Sequence, residues 1–138
     1  WPSKPDSING SERIANVAEL SATLKSCTAL RRQFLPYFTE GVLIGNCLLT
    51  EPRPGVRVSA YVLSDRVLAL VLNQGAEGSL AVPYSLAPWT PNRSTFTLTQ
   101  HDEAGQRIGA PQNVTASGTF QTKRLRPLEM TALEFVAK

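Results

Sequence analysis

The sequence predicts a mainly β fold: an antiparallel β-sandwich of the Greek-key type preceded by one long N-terminal α-helix. Three observations carry this. Apolar residues recur at three- and four-residue steps in one stretch only, near the N-terminus. From Val56 onward, short runs rich in Val, Leu, Thr, Tyr and Phe follow one another with turns about every ten residues and no helix between them. One of those runs, Arg66 to Asn73, is almost wholly apolar, as a strand covered on both faces must be.

Taken in order, residues 1–10 (WPSKPDSING) are polar and proline-bearing and read as a linker or disordered start. Residues 11–40 read as the long helix. Ser11 is its N-cap and Glu12 sits favourably in its first turn. Ile14, Val17, Leu20, Leu24, Cys27, Leu30, Phe34 and Phe38 form its apolar stripe. Pro36 is expected to disrupt the last turn, because its ring meets the carbonyl four residues back and it has no N–H. Gly41 is expected to give a left-handed exit.

Residues 41–55 read as a connector, and residues 56–138 as the sandwich. Val56–Leu63 and Arg66–Asn73 are two β-rich runs joined by Ser64-Asp65, a hairpin. Ala60 and Val62 share one face of the first run, Ser59 and Tyr61 the other. Further strands are read at 79–86, 94–100, 106–109, 118–125 and 129–137. Thr95, Thr97 and Thr99 alternate with Phe96 and Leu98, a strand with one wet face. His101 to Arg107 is a polar turn, and Leu128, Met130, Ala132 and Phe135 supply the apolar side of the last strand.

A helix of this length spans roughly 40 Å, against roughly 20–27 Å for the strands, so one sheet face cannot cover it. Phe34, Leu35, Tyr37 and Phe38 crowd its end. Burying about 500 Å² of apolar surface is worth on the order of 12 kcal/mol, too much to leave in water. These four residues are therefore expected to form an interface, with a preceding catalytic domain or another protein partner. The competing arrangement lays the helix across the sandwich, with the connector folded back over the aromatics.

Composition narrows the classes. Of the 138 residues 42% are hydrophobic, enough for a core. The net charge of +3 is too mild for a dedicated nucleic-acid binder. Lys123, Arg124 and Arg126 form the densest basic run and lack interleaved aromatics for base stacking. No stretch is long and apolar enough to span a membrane. Two cysteines, Cys27 and Cys47, do not make a disulfide framework. Asn9, Asn92 and Asn113 open glycosylation triplets.

"TALRRQFLPYFTEGVLIGNCLL", then "VSAYVLSDRVLALVLNQG", then the closing "LRPLEMTALEF" together resemble the tail of many glycoside hydrolases. There a (β/α)₈ barrel of α-galactosidase or α-amylase type finishes with a long helix and an antiparallel β-sandwich follows. The shared features are a strand ending in Val71-Leu72-Asn73 and a closing strand over Pro127 to Phe135. The resemblance implies an accessory domain. It brings no catalytic residue, because the paired carboxylates of those enzymes lie on barrel strands.

The residues themselves point the same way. Sugar cleavage needs two carboxylates about 5–10 Å apart, and the acids here are scattered. His101 is the only histidine and reads as a surface turn residue. Without a second histidine or a spaced cysteine pair, no metal site is expected, and no cofactor. One direct activity is carried by Trp89, set between prolines in a loop. Its indole is expected to stack on a sugar ring, with Tyr84, Asn92 and Arg93 beside it. The expected functions are thus an accessory sandwich of a carbohydrate-active enzyme, not itself catalytic, a free-standing carbohydrate-binding module, or a protein-interaction sandwich.

Overall fold

The computed structural model describes residues 28–138. Among these residues eight strands form two antiparallel sheets: β1 (Val42–Gly45), β2 (Val56–Leu63), β3 (Arg66–Asn73), β4 (Ala81–Ser85), β5 (Thr95–His101), β6 (Arg107–Thr115), β7 (Ser117–Gln121) and β8 (Met130–Ala137). The larger sheet has the order β1-β2-β3-β8-β5-β6, and β4 pairs with β7 in the smaller one. The chain crosses to the second layer at β4, returns at β5 and crosses again from β6 to β7. β8 then comes back to fill the place between β3 and β5, the long connection of a Greek-key arrangement.

The β2–β3 hairpin forms as expected. Leu63 pairs with Arg66 around Ser64-Asp65, and Ser64 takes a left-handed backbone with φ 54°. β3 is the central strand that its apolar run demands. Period-two alternation sends Val67, Ala69 and Val71 into the core between the sheets. It sends Leu68 and Leu70 to the opposite face. Ala60 and Val62 join the first set and Tyr61 the second. On β5, Phe96 and Leu98 are buried while Thr97 and Thr99 are half-buried. The inter-sheet core is completed by Leu133 and Phe135 of β8, by Val82, Tyr84 and Phe120 of the small sheet, and by Leu48 and Leu86.

Several expectations are corrected. The connector is not merely a connector: it supplies the edge strand β1, paired with β2, and a 3₁₀ turn over Asn46–Leu48 whose Leu48 is fully buried. β6 extends well beyond 106–109. Its pairing with β5 slips between Leu98 and Gln100, beside Gly109 at φ 72°, and an edge strand with such an irregularity accommodates Pro111. In β8, Met130 and Ala132 face away from the core that receives Phe135. Leu128 joins neither face and is 72% exposed, with φ 64°.

The start at 1–10, with Asn9, and the larger part of the predicted N-terminal helix, with Cys27, lie outside the described residues. Within them the helix is not continuous. Residues 28–33 are helical, Phe34 is a turn, and α1 (Leu35–Glu40) begins anew. Pro36 explains the break. In one unbroken helix its ring would strike the carbonyl of Arg32, whereas in the first turn of a new segment its missing N–H has no partner to lose. Nor is the exit left-handed: Gly41 is extended, with φ −75° and ψ 162°. Glycine is needed there because a Cβ would collide with the Tyr37 carbonyl oxygen.

The aromatic interface is corrected too. Phe34 and Tyr37 are each only 3% exposed, packed with Leu30 on Leu68 and Ala132 of the large sheet. Phe38 is half-buried, edge-on to Tyr61 at 4.9 Å. Only Leu35, at 41% exposure, faces solvent. Within the described residues the helical stretch packs on the sheet, as the competing arrangement has it, while the connector pairs with β2 as β1.

Candidate functional site

The seam between helix and sheet is closed by polar contacts. The Tyr37 hydroxyl donates to Glu134 Oε2 at 2.7 Å. Burial, and next this bond to a carboxylate, push the hydroxyl's pKa far above its ordinary range. His101, expected on the surface, is 6% exposed at the end of β5. Its ring lies edge-on to Phe34 at 5.0 Å, and Nδ1 sits 3.2 Å from the Gly105 carbonyl oxygen. These groups fasten the helical segments to the sheet.

A second polar knot joins the two runs that carry the resemblance to glycoside hydrolase tails. Asn73, fully buried, ends β3. Its Nδ2 donates toward the carbonyls of Ala76, Leu125 and Arg126 at 3.0, 3.1 and 3.2 Å, and its Oδ1 accepts from Gly75 N at 3.0 Å. Its backbone N–H bonds to Glu129 O and its carbonyl accepts from Leu128 N. Glu129 caps the same turn through Arg126 N. The asparagine of the β3 run and the Pro127–Phe135 run thus form one lock, which holds Leu128 in its unfavourable left-handed backbone.

The acids among the described residues are mostly committed to structure. Asp102 Oδ1 accepts from Ala104 N and Gln106 N in the β5–β6 turn. Glu77 pairs with Arg124 at 2.8 Å, Glu51 with Arg53 at 2.9 Å, and Glu103 with Arg126 at 3.7 Å. The basic run at 123–126 is thereby partly neutralised. Among the described residues no group of three His, Cys, Asp or Glu side chains is placed to hold a metal. Cys47 is free and exposed.

A cleft opens at one end of the sandwich. Its volume is about 220 Å³, and the Ser64-Asp65 turn and the loop 89–93 line it. The loop is built rigidly. Leu86, fully buried, accepts at its carbonyl from Trp89 N, Thr90 N and Thr90 Oγ1. Arg93 N closes the turn on Thr90 O, and Pro88 and Pro91 stiffen both sides. On the opposite wall, Asp65 O accepts from Ala137 N, and the Asp65 carboxylate lies 3.8 Å from Arg66 Nε.

The structure therefore brings together Trp89, Asn92 and Arg93, but not Tyr84. Tyr84 is 3% exposed in the core, tilted against Phe135 at 4.9 Å and donating to Thr115 O. Sequence reasoning missed Asp65 and Ser64, which arrive from a distant hairpin. Trp89 is half-buried, and its Nε1 is buried with no acceptor among the described residues. An indole N–H left so costs about 1–3 kcal/mol, and buried tryptophans normally avoid it. Asn92 and Asn113 of the glycosylation triplets are exposed. A cleft of about 210 Å³ at the other end includes Asp102, Glu129 and Thr131, whose polar atoms already serve the bonds described above or the Gln100 and His101 contacts of Thr131.

No family model and no curated protein matches the sequence. Among solved structures, the chain is similar to part of a GH30 endoxylanase from Clostridium papyrosolvens C71, with 21% identity and a TM-score of 0.46 over 63% of this chain and 22% of that one. It is also similar to part of the thermostable GH51 α-L-arabinofuranosidase from Thermotoga petrophila RKU-1, with 16% identity and a TM-score of 0.32 over 62% and 20%. For an arabinofuranosidase the values are 15% and 0.33 over 70% and 24%. The matched regions are small parts of these glycoside hydrolase chains, and at such scores the likeness carries no argument about activity.

Proposed function

We propose that the chain is a non-catalytic accessory β-sandwich of a carbohydrate-active enzyme, stabilising or covering a catalytic barrel. The observation that supports this most is the Asn73 lock. The two runs that resemble glycoside hydrolase tails meet in space and serve one purpose, joining β3 to the turn before β8. Among the described residues the acids mostly supply turns and ion pairs, Asp102 and Glu129 of the second cleft included. We assign the surface offered to a preceding domain to the exposed apolar residues Leu35, Val42 and Leu43, at 41%, 65% and 61% exposure. It replaces the aromatic stripe that the sequence suggested.

The test is the polypeptide encoded by the complete reading frame, assayed on xylan, arabinofuranosides, galactosides and starch. Scanning calorimetry is then run with and without residues 28–138. Hydrolysis of one substrate, with a thermal midpoint that falls on deletion, is expected. Absence of hydrolysis across the panel, or a midpoint unchanged by deletion, contradicts the reading.

A further inference from the structure

We propose that the cleft between the Ser64-Asp65 turn and the loop 89–93 binds one neutral monosaccharide unit, the terminal residue of a glycan. The proposal deepens the reading above and rests on it for the class of ligand. At about 220 Å³ the cleft is smaller than the roughly 300–1,000 Å³ of pockets for drug-sized molecules, so it takes a single ring and not an oligosaccharide.

Its polar groups suit vicinal hydroxyls, each of which both donates and accepts. Asp65 contributes a carboxylate that only accepts, Arg93 a guanidinium that only donates, and Asn92 a carboxamide that does both. Asp65 and Arg93 bring opposite charges to the cleft, which suits a neutral ring better than a charged one. Trp89 adds an apolar indole to the wall, suited to the C–H face of a pyranose. Its buried N–H has no acceptor among the described residues, an unused donor on a residue that lines the cleft. The loop is also set before any ligand arrives, since Thr90 is 4% exposed and anchored on Leu86, so little ordering is needed on binding.

The experiment is isothermal titration calorimetry of the full 138-residue chain with the methyl glycosides of glucose, galactose, xylose and arabinose. At least one should bind with a millimolar dissociation constant. Arg93→Ala and Asp65→Asn, both at exposed or half-exposed positions, should each weaken it about tenfold, the loss expected for one hydrogen bond to a charged group. Lys123→Ala at the opposite end should leave it unchanged. Circular dichroism of each variant verifies folding, and Asn92→Ala replaces any variant that does not fold. No binding by any of the four glycosides, or binding that the cleft variants leave untouched, overturns the proposal. Hydrolysis by the complete reading frame and its stabilisation by this chain can hold in either case, so the two readings fail separately.

Discussion

Replacing Asn73 by leucine should destabilise the protein more than any change at the surface. The side chain is fully buried and of nearly the same size as leucine, so volume is kept and only the polar contacts go. Two Nδ2 protons are shared among three carbonyls at 3.0–3.2 Å, and Oδ1 accepts one N–H. That amounts to three hydrogen-bond equivalents, each worth about 0.5–1.5 kcal/mol, hence a loss of about 3 kcal/mol. Leu125 O keeps one partner, Gly78 N at 3.0 Å, which holds the loss below the penalty for a fully stranded carbonyl. Urea unfolding measures it: the midpoint falls while the slope stays constant. A loss under about 1 kcal/mol would show that the turn stands without the asparagine and that the lock is incidental.

Other outcomes follow from the same contacts. Phe34→Ala should cost about 3–5 kcal/mol by urea unfolding, because it opens a cavity between the helical segments and the sheet. Tyr37→Phe should cost about 1–2 kcal/mol, the value of a bond to a carboxylate less the gain in apolar burial. Burial holds Tyr37 and Tyr84 neutral above their ordinary value of 10.0, in Tyr37 with the help of Glu134. The unfolded chain therefore gives up these protons first. Stability is complete below pH 10.0 and falls as pH rises beyond it, by up to about 1.4 kcal/mol per unit for each tyrosine, and Tyr37→Phe should flatten the decline seen in urea midpoints. Leu128→Gly should raise the thermal midpoint slightly, by about 0.5–1 kcal/mol in stability, since it relieves a left-handed leucine that packs on little.

The sandwich was legible in the sequence because its signals are local. The apolar run of β3 and the threonine alternation of β5 each state how many faces are covered, and Ser64-Asp65 names its own turn. The helical cover is less legible, for a nameable reason. Period alone makes one rod of the stripe ending at Phe34 and Phe38, whereas Pro36 opens a second segment. Once the rod is broken, the outer sheet face, with Leu68, Leu70 and Met130, is large enough to bury Phe34 and Tyr37. His101 was misplaced for the same reason, since its cover comes from a helix far away in sequence. The cleft was half legible. Trp89, Asn92 and Arg93 are neighbours in sequence, whereas Asp65 joins them only because β3 and β5 both run antiparallel to β8 and so begin at the same end.

We propose that Glu77, Asp102, Glu129 and Glu134, which hold turns and partners, are structural and not catalytic, and one measurement addresses this directly. The polypeptide from the complete reading frame is assayed for glycoside hydrolysis with Glu77→Gln, Asp102→Asn, Glu129→Gln and Glu134→Gln introduced singly. Each substituted group keeps an acceptor oxygen for its structural contact, so turnover should stay within about twofold of the parent. A fall of about a thousandfold in any one of them, the scale on which a general acid or base is lost, would place catalysis in this chain and contradict the account.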